Sequence, residues 1–392
     1  MSRAAGAGAS PAALGEVTVE QKSQILNWLL LLLLVYLLIS AVSIIGDGFK
    51  LATADQAKQL FEFSSNPFVG LMVGVIATAL IQSSSTVTSI IVAFVAGGLP
   101  VAIAVPMIMG SNIGTTLTNT LVSLGHVRDK EEFRRAFSAA TVHDFFNLLA
   151  VVIFLPLEMM FGILERISLA TAGLFYGDAN LSMSGFNVVK TATSPVVGGV
   201  SGIAGYLPTV AAGIVMIIVG IAMIFLAIRY IGVLLKQLMV GRAKRVMHNA
   251  IGRGPVAGIA SGAAVTFFVQ SSSTTTSLMV PLAGSGTFTL REIYPFTLGT
   301  NIGTTFTALL AATAVSGALA IHALEIALVH LFFNAFAVLL IFGLPFLRGI
   351  PIFGAEHLAA VAAENKLYAA AWVLGFFVLL PAILIFVSVV FF

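Results

Sequence analysis

The chain has 392 residues, of which 59% are hydrophobic and only 9% charged, against about 25% charged in an ordinary soluble domain. That balance excludes a water-soluble globular fold. A net charge of +3, with the basic residues in short clusters rather than in a stripe interleaved with aromatics, carries no nucleic-acid signal, and the absence of cysteine removes disulfides, thiolate metal sites and thiol nucleophiles.

Met1 to Glu20 is small and polar, and residues 1–25 are expected to form a cytoplasmic tail. The apolar run Trp28 to Ile45 is near the ~20 residues that cross a ~30 Å hydrocarbon core. It lacks a small-residue cleavage site before Asp47, which predicts a retained membrane helix rather than a signal peptide. Further crossings are expected over Leu99 to Leu124, Ala136 to Leu164, Leu207 to Leu235, Ile293 to Ala314, Ala318 to Leu344 and Leu367 to Phe391, about seven in all. Two other apolar stretches, Pro67 to Gly98 and Pro255 to Gly286, are interrupted by Gln82-Ser83-Ser84-Ser85-Thr86 and Gln270-Ser271-Ser272-Ser273-Thr274. Each predicts a re-entrant, broken-helix hairpin, because a polar run at bilayer depth is tolerated only inside protein or beside a water-filled cavity.

Three blocks recur in the same order. The Gln-Ser-Ser-Ser-Thr run is joined by Gly110 to Thr116 matching Gly299 to Thr305, and by Val142 to Asn147 matching Val329 to Asn334. Two homologous halves follow, of the kind found in secondary transporters. The basic clusters at Arg128 to Arg135 and Lys236 to Arg253 mark cytoplasmic loops. From a cytoplasmic N-terminus, the first hairpin then enters from outside and the second from inside. The expected fold is an all-α polytopic membrane protein built from inverted-topology repeats. A first repeat covers 26–164 with hairpin 67–98, an extracellular or periplasmic linker covers 165–206, and a second repeat covers 207–344 with hairpin 255–286. A loop and one additional helix fill 345–392.

A break of this kind exposes the N-terminus of the half-helix that follows, with free N–H groups and the positive end of its dipole. Two such ends, with serine and threonine hydroxyls beside them, suit an oxyanion. This nominates Gln82, Ser83, Ser84, Ser85, Thr86, Gln270, Ser271, Ser272, Ser273 and Thr274 as substrate ligands. The oxygens of Gln82, Ser83, Gln270 and Ser271 also suit a hard cation. Asn112 to Thr116 and Asn301 to Thr305 place a glycine where a helix can unwind beside oxygen-bearing side chains, which favours sodium; a plain kinked helix is the alternative. Asp144 is the one carboxylate expected deep in a span, and its repeat mate is Leu331. It serves either as a cation ligand or as an ion-pair partner of Arg135. His143 and His330 are expected to be interhelical hydrogen-bond partners, with proton carriage as the alternative. Glu158 lies toward an outer helix end, and Glu325 can pair with His322.

The duplicated Gln-Ser-Ser-Ser-Thr, the Gly-Ser-Asn-Ile-Gly-Thr-Thr block, and Phe133-Arg-Arg-Ala-Phe followed by Ala140-Thr-Val-His-Asp-Phe-Phe-Asn147 resemble those of the type II sodium–phosphate cotransporters over Pro67 to Leu344. The resemblance implies sodium-dependent symport of inorganic phosphate by alternating access, with the paired serine segments at the substrate site. It points to Asn112, Thr115, Asp144 and Asn147 as sodium ligands, with Asn301 and Thr304 as repeat counterparts. It also implies electrogenic transport where an aspartate occupies position 144, and links Asp129 to sodium. Lacking the long glycosylated loop and tails of animal relatives, the chain resembles a bacterial, inner-membrane member. The expected partners are phosphate, the coupling ion Na⁺ and the lipid bilayer, with a homodimer as a candidate assembly and no nucleic acid. Sulfate or arsenate transport, proton coupling and an anion channel are the rivals. An intramembrane serine enzyme finds no Gly-x-Ser-x-Gly or His-Glu-x-x-His to support it, and no enzyme is expected.

Overall fold

Hydrocarbon offers no hydrogen bonds, so each spanning segment must satisfy its backbone internally. The computed structural model describes residues 11–53, 66–176, 187–251 and 253–391, and all regular structure among them is helical. The first part contains α1 (Pro11–Thr53), α2 (Pro67–Ile81), α3 (Ser84–Ala96), α4 (Val101–Gly114), α5 (Leu117–Ser123), α6 (Lys130–Phe161), α7 (Ile163–Tyr176) and α8 (Asn187–Ala204). The second contains α9 (Thr209–Ala250), α10 (Pro255–Val269), α11 (Ser272–Ser277), α12 (Met279–Gly284), α13 (Leu290–Ala312), α14 (Ala320–Ala337), α15 (Pro345–Glu364), α16 (Leu367–Leu374) and α17 (Leu380–Phe391).

Local chemistry sets the helix ends. Asn66 accepts from the Phe68 N–H at 2.9 Å and Pro67 opens α2. Asp129 accepts from the Glu132 N–H at 2.7 Å to cap α6, which stops at Gly162 in the left-handed region (φ 58°). Glu158 then turns over that glycine to accept from the N–H groups of Leu164 (2.6 Å) and Glu165 (3.0 Å), so its carboxylate starts α7. Glu325 receives His322 at 2.8 Å, the pairing expected of it.

Among the described residues, six helical segments are long and apolar enough to cross a membrane: Leu26–Thr53, Val101–His126, Lys130–Phe161, Thr209–Leu234, Ala320–Phe342 and Pro345–Glu364. Three expectations change. Residues 345–364, read as loop, form the continuous α15, whose alanines 359, 362 and 363 pack closely on Phe133 and Phe137 of α6. Helix α13 is long enough but carries Arg291, Glu292, Asn301 and five threonines, and it is buried within the bundle rather than presented to lipid. The segment read as a linker contains α7 and α8.

Lipid-facing apolar surface supplies little drive for helices to associate with one another, so close backbone approach does the work. Helix α2 crosses α4 and, in the second half, α10 crosses α13. An added Cβ at Gly110 would lie 1.9 Å from the Leu71 carbonyl oxygen, and one at its repeat mate Gly299 would lie 2.0 Å from that of Ile259. These crossings tolerate hydrogen alone. The glycines of the Asn-Ile-Gly-Thr-Thr blocks are also close-packed, an added Cβ at Gly114 or Gly303 lying 2.5 Å from the Val75 or Ala263 carbonyl oxygen. The first block breaks between Gly114 and Leu117, but the second lies in uninterrupted helix.

Candidate functional site

Each Gln-Ser-Ser-Ser-Thr segment holds a two-residue break between two helices. Gln82 and Gln270 are the two non-glycine residues with positive φ among those described (58° and 55°). Ser83 and Ser271 follow in extended conformation, and their hydroxyls cap the next helices through the N–H groups of Thr86 (3.3 Å) and Thr274 (3.1 Å). A left-handed glutamine costs about 1 kcal/mol in backbone strain, which the side chain offsets with hydrogen bonds at both ends. The amide of Gln82 donates to the Ala79 carbonyl and accepts from Thr118; that of Gln270 donates to Phe267 and accepts from Thr307. The two copies match bond for bond.

Both turns open on one cavity of about 370 Å³, lined by Gln82, Ser83 and Thr86 from one half and Gln270, Ser271 and Thr274 from the other. Arg229 of α9 is the one charged side chain among its described lining residues. The remaining nominated serines, Ser84, Ser85, Ser272 and Ser273, are buried and do not line this cavity. Ser273 donates to the Thr115 carbonyl at 3.3 Å, tying the second turn to the break in α4 and α5. The motif thus divides by helical position, with its first, second and fifth residues facing the cavity and its third and fourth packed behind.

The nominated asparagines come together elsewhere, in a buried crossed network. Asn112 donates to Asn334 (2.7 Å) and accepts from His330 Nε2 (3.1 Å); Asn301 donates to Asn147 (2.7 Å) and accepts from His143 Nε2 (2.6 Å). Each bond joins the two halves. Asn147 also donates to the Asn112 carbonyl at 2.8 Å. Both histidines therefore make the interhelical bonds expected of them. Thr115 and Thr304 donate to carbonyls one turn back, both at 2.9 Å, leaving oxygen lone pairs unused.

Asp144 is fully buried. Its Oδ2 accepts from Trp372 Nε1 at 2.8 Å, its Oδ1 has no hydrogen-bond partner among the described residues, and Thr116 and Thr120 lie beside it. The ion pair with Arg135 does not form, since Arg135 Nε donates to the Gly284 carbonyl at 2.8 Å. Trp372 is held in place by stacking on Phe145 and Phe376, with ring centroids 5.2 and 4.8 Å away. Asp129 stands apart, exposed at the start of α6.

Arg229, Trp372 and Asn334 escaped the sequence reading. Arg229 left a signal, as the lone charge in the Thr209–Leu234 span. Asn334 left another as the repeat mate of Asn147. Trp372 left none, because its pairing with Asp144 joins residues far apart in the chain.

The family model described as Na+/Pi-cotransporter matches residues 37–177 and 223–352. The chain is 34% identical to the sodium-dependent phosphate transport proteins 2B of Pongo abelii and Homo sapiens, over 90% of its own length and 64% of theirs. It is 32% identical to sodium-dependent phosphate transport protein 2A of Oryctolagus cuniculus, over 92% of this chain and 67% of that one. No solved structure matches it. Two matched segments, one in each half of the duplication, place the chain in the Na+/Pi-cotransporter family.

Proposed function

We propose that this chain carries inorganic phosphate into the cell together with sodium, by alternating access at the cavity between the paired turns. The observation that carries the reading is the convergence of six hydroxyl and amide side chains from two homologous segments on one cavity with a single cation, Arg229. Serine and threonine hydroxyls donate to phosphate oxygens, and a guanidinium presents paired donors to an oxyanion. The N-terminal end of α3 adds the positive end of its dipole. The names of the relatives support sodium as coupling ion and phosphate as cargo.

The sodium ligands in this proposal are the oxygens of Asn112, Thr115, Asn147, Asn301 and Thr304, with Gln82, Ser83, Gln270 and Ser271 at the shared cavity. Asp144 takes one further ion and makes the cycle electrogenic. A buried carboxylate with one oxygen unsatisfied supports this, because a cation offsets the burial cost. The two halves are proposed to be inverted repeats in a bacterial inner membrane; the basic cluster Arg128 to Arg135 on one side and the weakly charged 165–206 on the other support that orientation.

The test is radiolabelled phosphate uptake into proteoliposomes with and without an inward sodium gradient. Uphill uptake that requires sodium is expected. Downhill flux indifferent to sodium would mean an anion channel, and uptake driven equally by a proton gradient would replace the coupling ion.

A further inference from the structure

A second cavity, of about 550 Å³, opens where the start of α10, the first turns of α13 and helix α15 meet. Three features give it chemistry. Tyr294 lines it and is 1% exposed, yet its hydroxyl has no hydrogen-bond partner among the described residues, although buried hydroxyls are as a rule paired. Arg348 lines it, with Nε donating to the Phe342 carbonyl at 2.6 Å and Cζ 4.4 Å from the centroid of the Phe342 ring. Its terminal amino groups are left over. Arg291 lies across from it, and neither arginine forms an ion pair among the described residues.

Neither carboxylate of the cavity forms an ion pair with these arginines among the described residues. Glu292 is turned back on its own helix, accepting from the Thr289 N–H (2.8 Å) and hydroxyl (2.7 Å). Glu356 is exposed, two helical turns beyond Arg348 on α15, where it can accept from a hydroxyl. Two arginines and two carboxylates balance in formal charge, so what the cavity offers an anion is guanidinium N–H donors that have no acidic partner among the described residues. Ile352 and Phe353 make an apolar wall, and the neighbouring Phe346 and Ile350 of the same helix are exposed large apolar side chains. A small free anion would leave that wall unused, whereas acyl chains would cover it.

We propose that this cavity holds the phosphodiester headgroup of an anionic phospholipid. Arg291 and Arg348 bind the phosphate, the Tyr294 hydroxyl donates to one of its oxygens, and Glu356 accepts from the headgroup alcohol. Basic pockets between membrane helices recognise lipid headgroups by this chemistry. The proposal does not depend on what the chain transports.

The experiment is native mass spectrometry of the purified full chain titrated with phosphatidylglycerol, phosphatidylcholine or inorganic phosphate. Phosphatidylglycerol should bind in preference to phosphatidylcholine and resist displacement by inorganic phosphate. Arg291→Gln should weaken it about tenfold and Tyr294→Phe about threefold, as the loss of a charge-assisted and a neutral contact entails. Tyr294→Phe removes a hydroxyl with no partner among the described residues, so its melting temperature should be unchanged and its result independent of folding. Equal binding by the wild type and both variants, or equal binding of the two lipids, overturns the proposal. Displacement by inorganic phosphate assigns the cavity to a free anion and overturns the lipid source.

Discussion

Gln82 and Gln270 turn the chain through left-handed backbone, so the residues that follow divide between a cavity face and a packing face. Ser271→Ala should therefore impair phosphate uptake, and because its hydroxyl also caps α11 it should lower stability by about 1 kcal/mol. Ser273→Ala, which removes the bond to Thr115, should lower stability by about 1 kcal/mol and change affinity less. Uptake kinetics, with melting curves on the same preparations, separate the two. Arg229→Gln should raise the half-saturating phosphate concentration about tenfold, the cost of one charge-assisted contact, with sodium dependence little changed; an unaltered phosphate dependence would remove Arg229 from the site. For Asp144 the readout is charge. Asp144→Gly should keep some sodium-dependent uptake and lose phosphate-evoked current, since a net charge moved through 100 mV is worth about 2.3 kcal/mol per cycle. Current and radiolabelled flux recorded together decide it, and a full current per phosphate in the variant would sink the assignment.

At the scale of helices, the repeat is written in glycines as much as in polar motifs. Gly110 against Leu71 and Gly299 against Ile259 bring backbones to distances that leave no room for a methyl group. Gly299→Ala should destabilise the protein by about 1–3 kcal/mol through overpacking, read as a lowered melting temperature. Gly173→Ala, where an added Cβ meets nothing within 4 Å, is the control and should be neutral or mildly stabilising, as alanine is in a helix interior. Equal melting temperatures for the two variants would mean that the α10–α13 crossing yields at no cost. The α15 segment shows why a loop reading failed there. Pro345 and Pro351 look like breakers, but Pro345 sits at the helix start, where its missing N–H is no loss, and the alanine face beyond Pro351 lets α15 lie against Phe133 and Phe137.

Across the whole molecule, the two halves are joined by reciprocal asparagine and histidine bonds rather than by a one-sided contact. Asn112 and Asn334 share one arm of that clasp. Each alanine variant should cost about 1–3 kcal/mol by leaving a buried amide unpaired, and the double variant should cost less than their sum, because the partner no longer needs pairing. Thermal unfolding of the three variants tests the coupling, and strict additivity would show that the two side chains act alone. Because the chain has no cysteine, orientation is open to single-cysteine labelling in the native background. Arg128→Cys and Tyr206→Cys, both exposed, should react with membrane-impermeant reagent from opposite faces. Reaction from the same face would undo the inverted arrangement.

The sequence by itself determined the solvent, the helical class, the duplication and the ten-residue pool from which the cavity is drawn, because lipid compatibility and repeated polar blocks are one-dimensional signals. It also showed that Asp144 has no acidic mate. The tertiary structure decided which six of those ten residues meet, through a left-handed turn whose cost is offset by threonines 36 and 37 residues away. It also decided that Asp144 pairs with Trp372 rather than Arg135, and that Arg229 enters the cavity. Those choices depend on which helix face turns inward and which distant chain lies against it. Helical periodicity leaves such pairings open until packing closes them.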